Sequence, residues 1–379
     1  MLGQVITNFP QYSVGTYGYT IQVDLTYLYA SSIDIIQLDN NGVSSLPITQ
    51  KTALVSLQGY INDIACPNIA YSVDSDILTL FVKTSAYPYT DPINILAGVD
   101  TGGVYLSIDE GVSWNITNMP PQLGNASCFT IIGTTVFVPT QNNGVYSSDN
   151  LFLWFNQRNT GLDYMSSGTT SLGVSGSNLF CGQYQHGAYV STNLGVNWTA
   201  VGEGISSGYV WALIGDGTHV FAGTLTAGGD GLGGIWKATD NIGTSWSRVG
   251  LSGHSIYSLK FNGLDLWAAA DDGTYLSIDN GVSWNKKSTG LGAGGVTCIS
   301  FFNSEIWCGM ADGAYLSIDN GDSWVKITTG MSLHVMSILA GNNLYAATLT
   351  DGVYKSTNRG INWVRVAEAG VRIDALIWL

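Results

Sequence analysis

The sequence predicts an all-β fold, a seven-bladed β-propeller of four-stranded antiparallel blades. Seven segments repeat a pattern close to Gly-x-Tyr-x-Ser-x-Asp-x-Gly-x-x-Trp, and consecutive closing tryptophans lie 38 to 48 residues apart. A period of about 40–45 residues is typical of one propeller blade. No segment shows a sustained helical periodicity. The closing tryptophans are Trp114, Trp154, Trp198, Trp246, Trp284, Trp324 and Trp363.

One repeat shows how four strands fit into this period. In residues 254–287, HSIYSLKFNG predicts a first strand, LDLWAAA a second, TYLSI a third and VSWNKK a fourth. Asp-Gly and Asn-Gly pairs lie between these stretches, and such pairs between alternating apolar runs are strong hairpin signals. The chain has only 8 prolines, which suits a sheet protein because proline donates no hydrogen bond to a ladder.

The two ends of the repeat array are expected to meet in one blade. The stretch VRIDALIWL at 371–379 aligns with first strands, whereas INILAGV at 93–99 predicts a second strand. The C-terminal strand should therefore complete the first blade and close the ring without an exposed edge. An alternative inner strand is LTLFVKTS at 78–85, and a faint further copy at 28–46 would give eight blades. Seven blades are favoured.

Residues 1–90 differ from the repeats. They are rich in Tyr, Ile and Thr, which suit strands, and they predict an N-terminal β-rich segment beside a propeller at 91–379. The plainer interpretation makes this segment an extension of the propeller. The alternative makes it a docking domain that attaches the propeller to a larger assembly.

The composition excludes several classes of protein. Apolar residues make up 45% of the chain and charged residues 11%, the opposite of a disordered chain, and no apolar run reaches the ~18 residues of a transmembrane helix. The net charge of −14 argues against a nucleic-acid partner. The N-terminus lacks the basic and apolar stretches of a signal peptide. The expected location is extracellular or on a virion surface, as a virion or tail-like component or a mature secreted protein.

No constellation of reactive side chains predicts catalysis. The cysteines are odd in number and align with blade-core positions, which predicts free thiols. The four histidines are scattered over the repeats, and zinc, P-loop and nucleophile-elbow motifs are absent. We therefore predict no catalytic residue and no cofactor, with Ca²⁺ as the one ion considered below. The cysteines are Cys66, Cys128, Cys181, Cys298 and Cys308.

The repeat resembles the Asp-box, or BNR, repeat of sialidase-like, sortilin-like and photosystem II assembly factor-like propellers. Three copies match in full, two place Asn for Asp, one has Leu151 for glycine and one has Ala238 for serine. The aspartate can accept N–H groups of its own turn, the glycine can adopt positive φ, and the tryptophan offers a large apolar face. The resemblance implies a structural role, opposite the ligand-binding mouth, for Ser107, Asp109, Gly111, Trp114, Asp149, Trp154, Asn193, Trp198, Asp240, Trp246, Asp279, Trp284, Asp319, Trp324, Asn358 and Trp363.

Because of the same resemblance, two enzyme activities have to be considered. Sialidases need three arginines, a tyrosine nucleophile and a glutamate base, but Arg248, Arg359 and Arg365 lie beside box turns or in outer strands, and the F-R-I-P motif is absent. Xyloglucan hydrolases bind substrate between two propellers, and one propeller of this length cannot form that cleft. Sialidase activity is not expected, and a glycoside hydrolase or lyase remains an alternative.

The ligand-binding face is expected where the second-to-third-strand turns meet the connections between blades. Three consecutive blades place Asp before the turn glycine, either as turn chemistry or as a carboxylate arc that binds Ca²⁺ or sugar hydroxyls. Aromatic, histidine and arginine side chains near the first strands should rim the central channel. The predicted ligand-binding residues are Tyr164, Tyr209, Trp211, His254, His334, Arg372, Asp272, Asp312 and Asp351.

These observations favour a non-catalytic recognition propeller. It is expected to bind a glycan or a protein at an exterior surface, with no nucleic-acid partner and no membrane insertion. The alternative of a different class is an assembly or scaffold factor for a protein complex, docked through residues 1–90.

Overall fold

The computed structural model contains one large β-structure, which is described with few gaps, and a smaller sheet, of which the strand backbones are described. The described residues are 94–100, 103–117, 119, 124–141, 143–149, 155–163, 168–205, 209–226, 232–331, 334–367 and 372–379, with the strand backbones at 19–24, 69–74 and 77–82. The chain divides into two units, Met1–Thr90 and Asp91–Leu379. Among the described residues, no helix has the length and apolar character needed to cross a membrane.

In the first unit, three strands form an antiparallel sheet of order β1-β3-β2. They are β1 (Tyr19–Asp24), β2 (Ile69–Asp74) and β3 (Ile77–Val82). Residues 78–82 of the stretch considered above as an inner strand of the first blade therefore pair within this sheet instead, and residues 83–85 lie outside the described residues. The faint repeat copy at 28–46 lies outside the described residues.

The second unit contains seven four-stranded antiparallel sheets, which confirms the predicted seven-bladed propeller. Blade 1 comprises β31 (Ile373–Trp378), β4 (Ile95–Val99), β5 (Val104–Ser107) and β6 (Asn115–Ile116). Blade 2 comprises β7 (Thr130–Ile132), β8 (Thr135–Thr140), β9 (Gly144–Ser148) and β10 (Asn156–Gln157). Blade 3 comprises β11 (Thr169–Ser175), β12 (Asn178–Gln183), β13 (Gly187–Ser191) and β14 (Thr199–Ala200). Blade 4 comprises β15 (Val210–Gly215), β16 (Val220–Thr224), β17 (Gly234–Ala238) and β18 (Trp246–Gly250).

The last three blades follow the same order. Blade 5 comprises β19 (Ile256–Asn262), β20 (Asp265–Ala270), β21 (Gly273–Ser277) and β22 (Asn285–Lys286). Blade 6 comprises β23 (Val296–Phe302), β24 (Glu305–Met310), β25 (Gly313–Ser317) and β26 (Val325–Lys326). Blade 7 comprises β27 (Val335–Ala340), β28 (Leu344–Thr348), β29 (Val353–Ser356) and β30 (Val364–Arg365).

The C-terminal strand closes the ring, as predicted. β31 pairs antiparallel with β4, from Ile373 opposite Val99 to Trp378 opposite Ile95. Blade 1 then packs on blade 7 through a cluster that includes Ile95 and Tyr345. On its other side it packs on blade 2 through Leu96, Val136 and their neighbours. Because each blade buries a face against the next, second strands such as β12 and β16 are buried at every residue.

The repeat turns between third and fourth strands are held by their own side chains. In blade 5 the Ser277 hydroxyl accepts the Gly281 N–H at 2.8 Å and donates to Asp279 Oδ1 at 2.8 Å. The same Oδ1 accepts the N–H of Ser283 at 2.8 Å. Gly281 has φ = +88°, which glycine adopts without steric cost. The turns with Asn in place of Asp keep this bonding, since Asn358 Oδ1 accepts the Asn362 N–H at 2.9 Å.

The closing tryptophans connect neighbouring blades. Trp324 is 3% exposed, packs with Trp267 of blade 5 and donates its ring N–H to the Lys287 carbonyl at 2.8 Å. Trp198, Trp246 and Trp363 likewise donate to a carbonyl of the preceding blade. Trp114 and Trp284 instead donate to the glycine carbonyl of their own turn. Trp154 lies outside the described residues, and the preceding Asp149 lies within them.

We expect Trp324→Ala to lower the free energy of unfolding by about 3–5 kcal/mol, the usual cost of removing a buried aromatic side chain. Chemical denaturation monitored by circular dichroism measures this change. Ile318→Ala is the matched control, because Ile318 belongs to the same turn but is 73% exposed. Equal effects of the two substitutions would show that Trp324 does not link blades 5 and 6.

We expect Asp319→Asn to flatten the acid side of the stability profile. Hydrogen bonds from the Ser323 side chain and N–H lower the pKa of Asp319 to about 2 from an ordinary 3.8. The charged carboxylate therefore stabilises the fold above pH 3.8, and this stabilisation is lost as the pH falls through about 2. The unfolding temperature of the variant should be somewhat lower at neutral pH and should fall less steeply from pH 5 to pH 2. A parallel fall would contradict this assignment.

Candidate ligand-binding channel

Each first strand carries an irregularity at the end opposite the repeat turns. The pairing register of six first strands with their second strands shifts by one residue there, at Thr170, Trp211, Tyr257, Thr297, Met336 and Asp374. In blade 2, Ala126 forms an isolated bridge with Thr140 before β7 begins, which leaves Ser127 at the corresponding position. A bulged residue is unpaired in the ladder and is re-aimed relative to its neighbours.

A short sequence pattern accompanies these bulges. In all seven blades, a buried residue precedes the bulged position, a small residue (Ala, Ser or Cys) follows it, and Leu, Ile or Phe comes next. Blade 4 reads Val-Trp-Ala-Leu and blade 5 reads Ile-Tyr-Ser-Leu. The variable residues all line one cavity of about 840 Å³. We call them the mouth ring: Ser127, Thr170, Trp211, Tyr257, Thr297, Met336 and Asp374.

The mouth ring is chemically uneven around its circumference. Trp211 and Tyr257 come from consecutive blades 4 and 5, so they form an aromatic side. Asp374 belongs to blade 1, which lies across the ring from blades 4 and 5 in the seven-blade order. The cavity therefore offers π faces on one side and a carboxylate on the other.

The Asp374 carboxylate is buried beside an arginine. Its side chain is 6% exposed, and Oδ1 accepts a hydrogen bond from Arg372 Nε at 2.7 Å. Burial raises the pKa of Asp374 above its ordinary value, while Arg372 and the nearby Asn125 amide favour its charged form. Asp374 Oδ2 and Asn125 Oδ1 are buried without a hydrogen-bond partner of good geometry. Both residues line the cavity, although these two oxygen atoms are themselves shielded from solvent.

Farther along the lining, Lys260 adds a second cation to that of Arg372. Cys128 and Cys298 also line the cavity, and burial raises the pKa of these thiols to about 12 and about 11. They are therefore protonated at neutral pH and are poor nucleophiles. The described cysteines are all free thiols, whereas Cys66 lies outside the described residues.

The structure distributes the predicted ligand-binding residues over several places. Trp211, His334 and Arg372 line the cavity, and His334 has φ = +69°, an uncommon backbone conformation for a non-glycine residue. Tyr209 packs edge-on against Tyr184, with ring centroids 4.3 Å apart. Tyr164 lies outside the described residues.

The three turn aspartates are bonded within their own blades. Asp312 accepts the Tyr315 hydroxyl at 2.7 Å and Lys326 Nζ at 2.7 Å. The same arrangement recurs as Asp272 with Tyr275 and Lys286, and as Asp351 with Tyr354 and Arg365. The lysine or arginine of each blade pairs with its aspartate, so each carboxylate has hydrogen-bond partners within its own blade. Their binding to a ligand stays a prediction.

Several lining residues were absent from the predicted site, notably Met336 and Asp374. The signal that could have found them is the variable residue between a buried position and a small one at the start of each first strand. The sequence suggests that strand residues alternate regularly between inward and outward positions. This alternation does not allow for the extra residue that a bulge inserts.

Comparisons with known proteins show the fold. No protein-family model and no curated protein matches the chain. Among solved structures, the GH74 xyloglucanase from Xanthomonas campestris has a TM-score of 0.56 at 14% identity, over 75% of this chain and 52% of that one. YCF48 from Cyanidioschyzon merolae has a TM-score of 0.52 at 13% identity, over 65% and 87%. YCF48 bound to D1 peptide has a TM-score of 0.50 at 13% identity, over 62% and 80%. The chain spans about half the length of the xyloglucanase.

We expect Arg372→Met to destabilise the propeller by about 1–3 kcal/mol, because it leaves the buried Asp374 carboxylate without its main partner. Adding Asp374→Asn should recover most of this loss, since an amide carries no charge to desolvate. Urea denaturation of the two single variants and the double variant measures the coupling. Strictly additive effects would contradict a direct Arg372–Asp374 interaction.

Proposed function

We propose that this protein is a non-catalytic recognition propeller that binds a segment of a protein partner at the mouth ring. The observation that carries the proposal is the ring itself. Seven equivalent backbone positions present Ser, Thr, Trp, Tyr, Thr, Met and Asp into one cavity. A constant scaffold with varied side chains at a concave site gives specificity without requiring a reaction.

The lining indicates the chemistry of that segment. Trp211, Tyr257 and Met336 provide apolar and aromatic surface, which favours an aliphatic or aromatic side chain. The polar side chains of Asp374 and Asn125 in the lining favour a ligand with N–H or O–H donors. An extended polypeptide supplies both at once, because its backbone N–H groups alternate with its side chains. The D1 peptide bound by YCF48, a propeller of this fold, supports the choice of a protein segment as the first candidate.

A glycan is the second candidate, and the adjacent aromatic residues favour it. Trp211 and Tyr257 on consecutive blades offer two neighbouring rings, and a sugar presents both a C–H face and hydroxyl donors. Hydrolysis is not proposed. Among the described lining residues Asp374 is the carboxylate, it is paired with Arg372, and most glycosidases use two carboxylates.

Two finer assignments belong to the same proposal. We propose that the Ser-x-Asp turns are Asp-boxes, and their bonding from Ser277 to Gly281 and from Asp279 to Ser283 supports this. We also propose an exterior setting, extracellular or on a virion or tail-like particle. The low charged fraction of 11% supports this proposal. Docking to an assembly through residues 1–90 is the corresponding proposal for the first unit.

The test uses the full chain immobilised against two probes, a random peptide library displayed on phage and a glycan array. We expect enriched peptides whose synthetic copies bind in solution, and whose affinity falls about tenfold or more in Trp211→Ala or Tyr257→Ala. Ile318→Ala, exposed on the opposite end of the blades, is the matched control and should bind as the original protein does.

The outcomes separate the candidates. Peptide binding lost in the two mouth-ring variants supports the first candidate, and glycan binding lost in the same variants supports the second. Binding that survives in both variants, or that is lost equally in Ile318→Ala, would overturn the assignment of the mouth ring as the site.

A further inference from the structure

Three metal-ligating side chains of blade 5 converge at the channel end of the blade. His254 lies just before β19, and Asp271 and Asp272 form the turn between β20 and β21. His254 Nδ1 is 2.9 Å from Asp271 Oδ1 and 3.3 Å from Asp272 Oδ1. One ligand atom from each of the three residues lies within 4.8 Å of the other two. The imidazole thus faces two carboxylate oxygens at once.

Each aspartate is held in place by its other oxygen. Asp271 Oδ2 accepts the backbone N–H of Ser255 at 3.0 Å. Asp272 Oδ2 accepts Lys286 Nζ at 2.6 Å and the Tyr275 hydroxyl at 2.9 Å. Outer partners of this kind orient the ligands of metal sites, because they fix the carboxylates before an ion binds.

Two of the three separations between the ligand atoms already suit a metal ion. Nitrogen and oxygen ligands lie about 2.0–2.2 Å from Zn²⁺. Two such ligands at angles between about 90° and 110° are then about 2.8–3.5 Å apart. The separations of 2.9 and 3.3 Å from His254 Nδ1 fall within that interval. An ion could enter by displacing the proton between nitrogen and oxygen, with little movement of the backbone.

The sister blades show that turn chemistry alone does not require this cluster. Asp312 and Asp351 have the same tyrosine and cation partners as Asp272. The residue before Asp312 is Ala311, and the residue before Asp351 is Thr350. Asp271 and His254 are therefore additions to an arrangement that is complete without them in blades 6 and 7.

We propose that His254, Asp271 and Asp272 bind a divalent first-row transition-metal ion, with Zn²⁺ as the probe ion. The ligands are His254 Nδ1 and one oxygen of each aspartate, and water completes the coordination. The imidazole nitrogen favours such an ion over Ca²⁺, which takes oxygen ligands. The two carboxylates carry two negative charges, of which Lys286 balances one. The ion neutralises the remaining charge. This site lies in one blade, in contrast to the Ca²⁺ arc across three blades that the sequence suggested.

The experiment titrates Zn²⁺ into the chelator-treated full chain by isothermal calorimetry, with Ca²⁺ as the comparison ion. We expect saturable Zn²⁺ binding that Ca²⁺ does not reproduce, with affinity reduced at least about tenfold in His254→Ala and in Asp271→Asn. Asp312→Asn is the matched control, because it removes the equivalent carboxylate from a turn without the histidine, and it should bind as the original protein does. His219→Ala controls for another histidine–aspartate contact, to Asp216.

A spectroscopic readout separates this site from the thiols. Co²⁺ bound by nitrogen and oxygen ligands lacks the intense near-ultraviolet absorption of cobalt–thiolate bonds. The spectrum should therefore lack that band, and it should change in His254→Ala. Thermal unfolding of each variant without metal should match the original protein, which shows that the fold is intact. No saturable binding, unchanged affinity in His254→Ala, or a thiolate band that carries the signal would overturn the proposal.

Discussion

The structure depends on one constraint: a blade is stable only when both of its faces are covered by other blades. The second strands show this most clearly, since β12 is buried at all six residues and β16 at all five. Such strands have no solvent face, so each blade requires a neighbour on either side. The ring must close, and the pairing of β31 with β4 closes it inside blade 1 with strands from both ends of the unit. A sheet edge at the closure would otherwise be exposed to pairing with other chains.

Under this constraint, the two ends of the blades have different roles. At the repeat-turn end, local bonds among Ser277, Asp279 and Gly281 recur with little variation, and tryptophans such as Trp324 tie one blade to the next. At the channel end, the bulge takes one residue of each first strand out of the ladder. Where that residue is Ser127, Thr170 or Thr297, its hydroxyl donates to a carbonyl of the next blade, and the other four positions carry Trp, Tyr, Met and Asp. Conserved geometry with variable side chains is what a binding surface on a repeat fold needs.

The sequence predicts the fold well because the signals of the blades are local and repeated. Tryptophan spacing, hairpin glycines and the alternation in residues 254–287 are sufficient to place the strands, and the segment 371–379 is placed correctly in blade 1. The site is predicted less well because it depends on register. Trp211, predicted from its position near a strand start, lines the cavity, whereas Asp374 was not predicted because its position depends on a bulge and on burial beside Arg372. The turn aspartates show the same limit, since Asp312 meets Lys326 only through pairing of β25 with β26.

In blade 5 the mouth ring and the proposed metal site lie close together along the chain. His254 precedes β19, and Tyr257 is its second residue, with Ser255 and Ile256 between them. Burial raises the pKa of Tyr257, and the negative charge of Asp271 raises it further, while the Ser255 side chain opposes the shift. The electrostatic field of Asp271 is therefore felt at the aromatic side of the channel. A cation held by Asp271 would cancel that field. Ser255 also holds Asp271 in place through its backbone N–H, so the ion site and the channel depend on the same short segment of backbone. The mouth ring and the metal ligands are thus separate sets of side chains that meet in residues 254–257, where the charge of Asp271 acts on the Tyr257 hydroxyl.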